Sequence, residues 1–237
     1  MIDTHCHLLP DVDDGPATEA EALELAGAIA RDGATFVLCT PHYSQRHPTV
    51  HGRAVERVTA LARSLKDFGI VLEVGVAAEV SPGHAVSAPL EELAARSIAG
   101  RFLLVEVQSD CPVGFFAAVE HRLSGAGLIP IFAHPERCRA VQRHPSILAP
   151  DRRNGSLVQV VAPSVTGGFG RVVGGAAWRL LEAGAVDLLA SDAHGLEKRR
   201  SHLREAADLV ARRLGEKVSR ALTDRNPALV LEGGHPR

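Results

Sequence analysis

The sequence runs to 237 residues with 26 Lys and Arg against 28 Asp and Glu, a formal net charge of -2, and no run of like charges. This balance advertises neither a nucleic-acid nor an anionic-membrane surface, so substrate choice is expected from a local site. Hydrophobic residues make up 46% of the chain and aromatics only 4%, a composition that expects an Ala, Val and Leu core of helices packed on a sheet.

The elements follow one another regularly. Ile2 to His7 reads as a first strand in which His5 and His7 share one face and Cys6 takes the other. Thr18 to Glu21 is a capping-box pattern, with Leu23, Ala26 and Ile29 at helical spacing behind it and Gly33 placed to stop the helix. The strand "TFVLCT" comes next. An apolar stripe of Val55, Val58, Leu61, Leu65 and Phe68 ends at Gly69 and leads into the strand "IVLEVGVAAE". "FLLVEV" from Phe102 precedes a helix near Phe115 to Leu123, and "LIPIFAH" is the next strand. "SLVQVV" leads through "TGGFG" to a helix around Ala176 to Glu182, and "VDLLAS" closes the series before a last stripe of Leu203, Ala206, Val210 and Leu214. Seven strands, mostly each followed by a helix, with no linker or break in composition, predict one α/β domain over residues 1–237. The expected architecture is a TIM-like barrel, with a doubly wound open sheet as the alternative.

Ligand-type residues collect at the strand ends. His5 and His7 lie on the first strand, Asp14 in the loop behind it, and His42 in "CTPH". Glu79, Glu106, His134, Asp192 and His194 occupy the ends of later strands. Any one of these alone reads better as a solvated loop residue, but in a parallel barrel all would project at the same mouth and converge. Nine imidazoles and carboxylates exceed the capacity of one ion, so two or three divalent cations are expected; the ligand mixture suits Zn²⁺, Mn²⁺ or Fe²⁺. Closely spaced ions bridged by a carboxylate generate hydroxide at neutral pH and stabilise both oxygens of an in-line displacement, which points to phosphoester hydrolysis. Arg137, three residues after His134, is placed to seat a phosphate in a guanidinium fork. Arg200 reads as solvated, as do His47, His51, His84, His121, His144, His202 and His235. Tyr43 is open between lining a pocket and capping a loop.

In this order "DTHCH", "DDG", "TPHY", Glu79, Glu106, "AHPER" and "SDAH" resemble the PHP (polymerase and histidinol phosphatase) superfamily. Within it the chain is most similar to bacterial metal-dependent tyrosine-protein phosphatases of capsule and exopolysaccharide synthesis. The resemblance spans nearly the whole chain and implies a distorted (β/α)7 barrel with three metal ions, manganese favoured. It implies that His5, His7, Glu79 and Asp192 hold one ion, that Glu79 bridges to a second held also by Glu106 and His134, and that Asp14, His42 and His194 hold the third. Arg137 and Arg199 would bind the phosphoryl group. Of the three aspartates behind the first strand, the resemblance picks Asp14 over Asp11 and Asp13.

The expected reaction is hydrolysis of protein phosphotyrosine, with a bacterial tyrosine kinase as partner substrate. A small-molecule phosphatase of histidinol-phosphate type or a PHP-type nuclease is the alternative, and a metal-stabilised binding protein is a third reading. A cysteine phosphatase is excluded: six residues after Cys6, Cys39, Cys111 and Cys138 stand Val12, Gln45, Ala117 and His144, so no Cys-x5-Arg loop exists. The four cysteines form no CxxC pair, no signal-peptide pattern opens the chain, and no apolar run nears the roughly 20 residues of a membrane helix. A cytoplasmic protein is expected, with a homo-oligomer compatible. Two departures from the family pattern bear on substrate preference: "VVAPSVTGGFG", where Pro163 removes a backbone donor expected near substrate, and Gln108-Ser109 in "VEVQSDCP".

Overall fold

The computed structural model describes residues 1–149, 154–197 and 199–236. It is an α/β fold of two parallel sheets. Strands β1 (Ile2–Cys6), β2 (Phe36–Cys39) and β4 (Glu73–Val76) form one in the order β1-β2-β4. The other runs β3 (His42–Tyr43), β5 (Glu79–Val80), β6 (Phe102–Glu106), β7 (Ile129–Ala133), β8 (Leu157–Val161) and β9 (Leu188–Ala190). A parallel bridge from Cys6 to Ala193 sets β1 beside the segment that follows β9. His7 N–H donates to Ala193 O at 2.8 Å and Asp192 N–H to His5 O at 2.8 Å.

Among the described residues nine strands stand where seven were expected, because β3 lies beyond the predicted "TFVLCT" and "IVLEVGVAAE" is divided in two. Pro41, which has no N–H to give a ladder, separates β2 from β3. In "IVLEVGVAAE" the Ala78 N–H leaves the ladder and donates to Arg96 O at 3.1 Å, which divides β4 from β5.

Helix α1 (Glu19–Arg31) carries the predicted capping box, the Thr18 hydroxyl accepting from Glu21 N–H while the Glu21 carboxylate accepts from Thr18 N–H. Helix α2 (His51–Asp67) buries Ala54, Val58, Leu61 and Leu65. Val55 and Phe68, expected on that stripe, are 40% and 71% exposed. Val55 is one residue, about 100° of helical turn, from Ala54, and Phe68 lies past the last helical residue, so neither shares the buried face. The short helices α3 (Pro82–Ser87) and α4 (Leu90–Ala95) precede β6, and α5 (Gly114–Ser124) follows it, as predicted, and packs on β7. Helices α6 (Arg139–Arg143) and α7 (Ala162–Val165) follow β7 and β8. Helix α8 (Gly170–Glu182) starts six residues before the expected Ala176, and α9 (Leu203–Leu214) matches its stripe. The periodicity revealed none of α3, α4, α6 and α7, nor the two helices that follow α9, α10 (Glu216–Arg220) and α11 (Asn226–Leu231).

Alternation along the strands divides the core. Leu103, Val105, Phe132, Val158, Val160 and Leu189 point to the helices, while Phe102, Leu104, Ile131, Leu157 and Leu188 meet Leu38 and Val230 of α11 on the other side. Both faces are therefore apolar, as parallel strands require. Each fully buried Leu, Ile or Phe contributes about 1.5–3 kcal/mol. No helix among the described residues is long and apolar enough to cross a membrane.

Candidate metal centre

The strand face that carries Phe102, Leu104, Ile131 and Leu188 changes character toward its C-terminal end, where histidine and carboxylate side chains replace leucine and isoleucine. Three groups of ligand atoms result, all atoms in a group lying within 4.8 Å of one another: His5, His7 and Asp192; His5, Glu79 and His134; and His7, Asp14, His42 and His194. His5 Nε2 and His7 Nε2 are 3.3 Å apart and join the groups. Glu79 is central. Its Oε1 is 2.8 Å from His134 Nε2, and its Oε2 is 2.9 Å from His42 Nδ1, 3.4 Å from His7 Nε2 and 3.6 Å from His5 Nε2. Asp192 Oδ1 stands 3.4 Å from His5 Nε2, and Asp14 Oδ1 stands 3.2 Å from His194 Nε2.

The backbone is bent to aim these groups. His134 (φ +40°) and Asp192 (φ +54°) both occupy the left-handed region, which costs a non-glycine residue roughly 1 kcal/mol or more. Gly15 lets the loop bearing Asp14 lie against β1, since a Cβ there would stand 2.3 Å from His7 O.

Partners behind the ligands fix their ring orientation. His5 Nδ1–H donates to Gln159 Oε1 at 2.8 Å, and Gln159 Nε2 donates to Thr4 Oγ1 at 2.9 Å. His7 Nδ1–H donates to Asp13 Oδ2 at 2.6 Å; the same carboxylate accepts from His42 N–H at 2.9 Å and Gly15 N–H at 3.1 Å. Each arrangement leaves Nε2 free to ligate.

The electrostatics are those of a carboxylate-rich pocket. Burial opposes charge on His7, yet the Asp13 carboxylate and then Glu79 outweigh it and raise its pKa to about 10. Burial likewise opposes ionisation of Asp13, but His7 overcomes this and lowers Asp13 to about 2. Glu79 is held well below the usual carboxylate range despite burial, by His5 and by hydrogen bonds from His134 and His42. His194 moves the other way, to about 4, through burial and the neighbouring positive His7. Asp192 Oδ1 is buried with no hydrogen-bond partner, and Glu79 Oε2 and His194 Nε2 are buried against only the ion-pair neighbours named above. Unpaired carboxylate oxygens of this kind cost several kcal/mol in a protein interior unless a cation meets them, so the donor set fits divalent metal ions.

The family model for capsular polysaccharide synthesis proteins CpsB/CapC matches residues 1–232. The chain belongs to the CpsB/CapC family. Among its relatives, tyrosine-protein phosphatase YwqE of Bacillus subtilis is 31% identical over 236 residues, covering 98% of this chain and 91% of that protein. Tyrosine-protein phosphatase CpsB of Streptococcus pneumoniae is 24% identical over 241 residues, covering 98% of each. A crystal structure from work on YwqE and CpsB, described as unique metal-dependent tyrosine phosphatases, superposes with a TM-score of 0.88 at 29% identity, covering 99% of this chain and 95% of that one.

Of the eleven site residues expected in this CpsB/CapC chain, eight fall in the three ligand groups and two more, Arg137 and Arg199, stand at their rim. Arg199 Nη2 is 2.8 Å from Asp192 Oδ2 and its Nη1 3.6 Å from Asp14 Oδ2, while Arg137 Nη1 is 3.6 Å from Asp192 Oδ2. Glu106 lies outside the groups, half-buried, its Oε2 accepting from Gln108 Nε2 at 3.0 Å.

Sequence reasoning passed over Asp13 and Gln159. Gln159 had a signal, being the one polar residue inside an otherwise apolar strand. Asp13 had a weaker one, a carboxylate two residues before the turn glycine. Of seven histidines read as solvated, His121 and His144 are exposed. The other five are half-buried: His47 and His84 line a cleft beside Asp14 and His42, His202 meets Glu205, His235 meets Gly155 O, and His51 starts α2. The Tyr43 hydroxyl donates to Glu92 Oε2 at 2.5 Å, Arg96 packs 3.8 Å over its ring, and the ring meets that of His84 at 4.6 Å. Pro163 is buried in the first turn of α7, where its ring costs the helix no hydrogen bond.

Proposed function

We propose that the chain is a metal-dependent phosphatase of protein phosphotyrosine acting in capsule or exopolysaccharide synthesis, with a bacterial tyrosine kinase of that system as its substrate. The observation that carries this reading is the set of three contiguous His/Asp/Glu groups holding orphaned carboxylate oxygens, with two arginines at the rim. Its relatives' activities support it.

Three ions are assigned, manganese first, with zinc or iron as the alternatives. His5, His7, Glu79 and Asp192 take one; Glu79, Glu106 and His134 a second; Asp14, His42 and His194 a third. Such ions would lower the pKa of an attacking water and neutralise charge on the phosphoryl oxygens. Arg137 and Arg199 hold the phosphoryl group and stabilise the charge that develops on it. Asp13 and Gln159 keep the His7 and His5 rings in the ligating tautomer. The phenolate, pKa about 10, leaves without a strong general acid.

The apolar interior shared by strands of both sheets, with β1 beside the segment after β9, supports a distorted (β/α)7 barrel forming one catalytic unit over 1–237. A cytoplasmic location accords with a phosphoprotein substrate and four free, buried cysteines. The test is turnover of a phosphotyrosine peptide with Mn²⁺. Hydrolysis should stop on chelation and return on adding the ion; turnover that survives thorough chelation overturns the reading.

A further inference from the structure

Three clefts open from the ligand groups, and their walls differ. The first, about 530 Å³, leaves from Asp14, His42 and Glu106 between hydroxyl, amide and imidazole groups such as Ser44, Gln45, His47 and His84. The second, about 480 Å³, leaves from Asp14, His194 and Arg199 past Leu196 and the acids Glu21, Glu24 and Glu197. The third, about 660 Å³, leaves from Glu106, His134 and Arg137 and is walled by Asp110, Arg139, Phe169 and Val173.

Phe169 is unusual in this chain. It is half-buried yet packs into none of the three apolar clusters of the core. Its neighbour is the Arg137 guanidinium, 5.0 Å over the ring. The loop that carries it is built to hold it out: Gly167 (φ +89°) and Gly170 (φ +82°) flank it in conformations other residues adopt with strain, and Gly168 N–H donates to Pro163 O at 2.7 Å. The ring is half-buried, and the part of it that the protein leaves uncovered lines the third cleft.

Resting on the phosphotyrosine reading above, we propose that Phe169 is a specificity-determining residue, the platform on which the phenyl ring of the substrate packs while Arg137 holds its phosphoryl group. The third cleft is the one that joins the ligand groups, a phosphate-seating arginine and an aromatic wall, so a phosphate and the ring attached to it are met in the right order. The second cleft sets four carboxylates, Asp14 among them, against Arg199 alone, whereas the third sets Glu106 and Asp110 against Arg137 and Arg139, and the first has no phenyl ring in its walls. Edge-to-face or offset packing of two rings adds binding that an alkyl phosphate or free phosphate does not receive.

The experiment compares wild type, Phe169→Ala, Phe169→Tyr and Leu196→Ala in the Mn²⁺-loaded protein, measuring KM for a phosphotyrosine peptide and Ki for inorganic phosphate. Phe169→Ala should raise KM about five- to tenfold while Ki stays within about twofold, Phe169→Tyr should restore KM, and Leu196→Ala should leave both unchanged. An unchanged KM in Phe169→Ala overturns the proposal. So does a parallel rise in Ki, which would make Phe169 a prop for Arg137 alone, or a ring-selective loss in Leu196→Ala. If wild type turns over no phosphotyrosine peptide, the functional reading itself fails, an outcome separate from an active enzyme indifferent to Phe169.

Discussion

At the N-terminal ends of the strands Phe102, Leu104, Ile131, Leu157 and Leu188 fill the interior against Val230 of α11, all of them buried. Two to four residues further along the same strands the same face carries Gln159, Asp192 and Glu106, and His134 follows Ala133 directly. One end gains free energy from burial; the other spends it on buried carboxylates and left-handed backbone at His134 and Asp192. The strands are thus a rigid holder whose apolar half stabilises an arrangement its polar half could not maintain alone.

Substitutions at the two ends of the strands should have opposite effects. Asp192→Ala should lower kcat/KM for a phosphotyrosine peptide on the order of 10³-fold or more while circular dichroism at room temperature stays native. Phe102→Ala should do the reverse, removing about 3–5 kcal/mol of stability in denaturant titration while the folded enzyme keeps kcat/KM within about twofold. If Phe102→Ala silenced the folded enzyme, the two ends would not be separable.

The strand ends were legible in the sequence because a ligand set leaves a mark that periodicity cannot erase: His, Asp and Glu recur at the close of apolar runs. Helix α1 was legible for a similar reason, with Thr18 and Glu21 announcing its start. What could not be read was whatever depends on groups far apart in the chain. The break between β4 and β5 is made by the Arg96 carbonyl, and the role of Asp13 comes from His7 and the His42 amide meeting it in space. Phe68 looked like core because spacing alone does not say where a helix stops. Helices α10 and α11 are too short, at five and six residues, to show a period.

Within the polar end, residues that touch substrate and residues that only hold ligands should differ in kind. Arg137→Ala should cut kcat about 10²–10³-fold, as loss of a charge-stabilising donor does, with bound metal unchanged by elemental analysis. Asp13→Asn should act on metal instead. With the carboxylate behind His7 neutralised, affinity for Mn²⁺ should weaken about 10–100-fold, and excess Mn²⁺ should restore most of kcat. Failure of Mn²⁺ to restore Asp13→Asn would move that aspartate from holding a ligand to a direct part in the reaction.

The smallest expected effect is on the stability of the chelated protein, where protons stand in for cations and two histidines pull in opposite directions. His7 has a folded pKa of about 10 against an ordinary 6.5, so the stability it contributes is fully present below about pH 6.5 and is lost as pH rises through about 10. His194 has a folded pKa of about 4, so the unfolded chain takes up its proton first, and stability falls as pH drops from about 6.5 through about 4. The Tm of the chelated protein should therefore peak near neutrality and decline on both sides. With Mn²⁺ bound, the decline above neutrality should vanish, because ligating imidazoles are already deprotonated and metal uptake releases the protons that His7 and His5 held. Calorimetry from about pH 5 to about pH 10, with and without chelator, reads both limbs. A flat profile in the chelated protein above pH 7 would mean that Asp13 and Glu79 do not hold a charge on His7, and the contrast between the two ends of the strands would then be one of shape rather than of electrostatics.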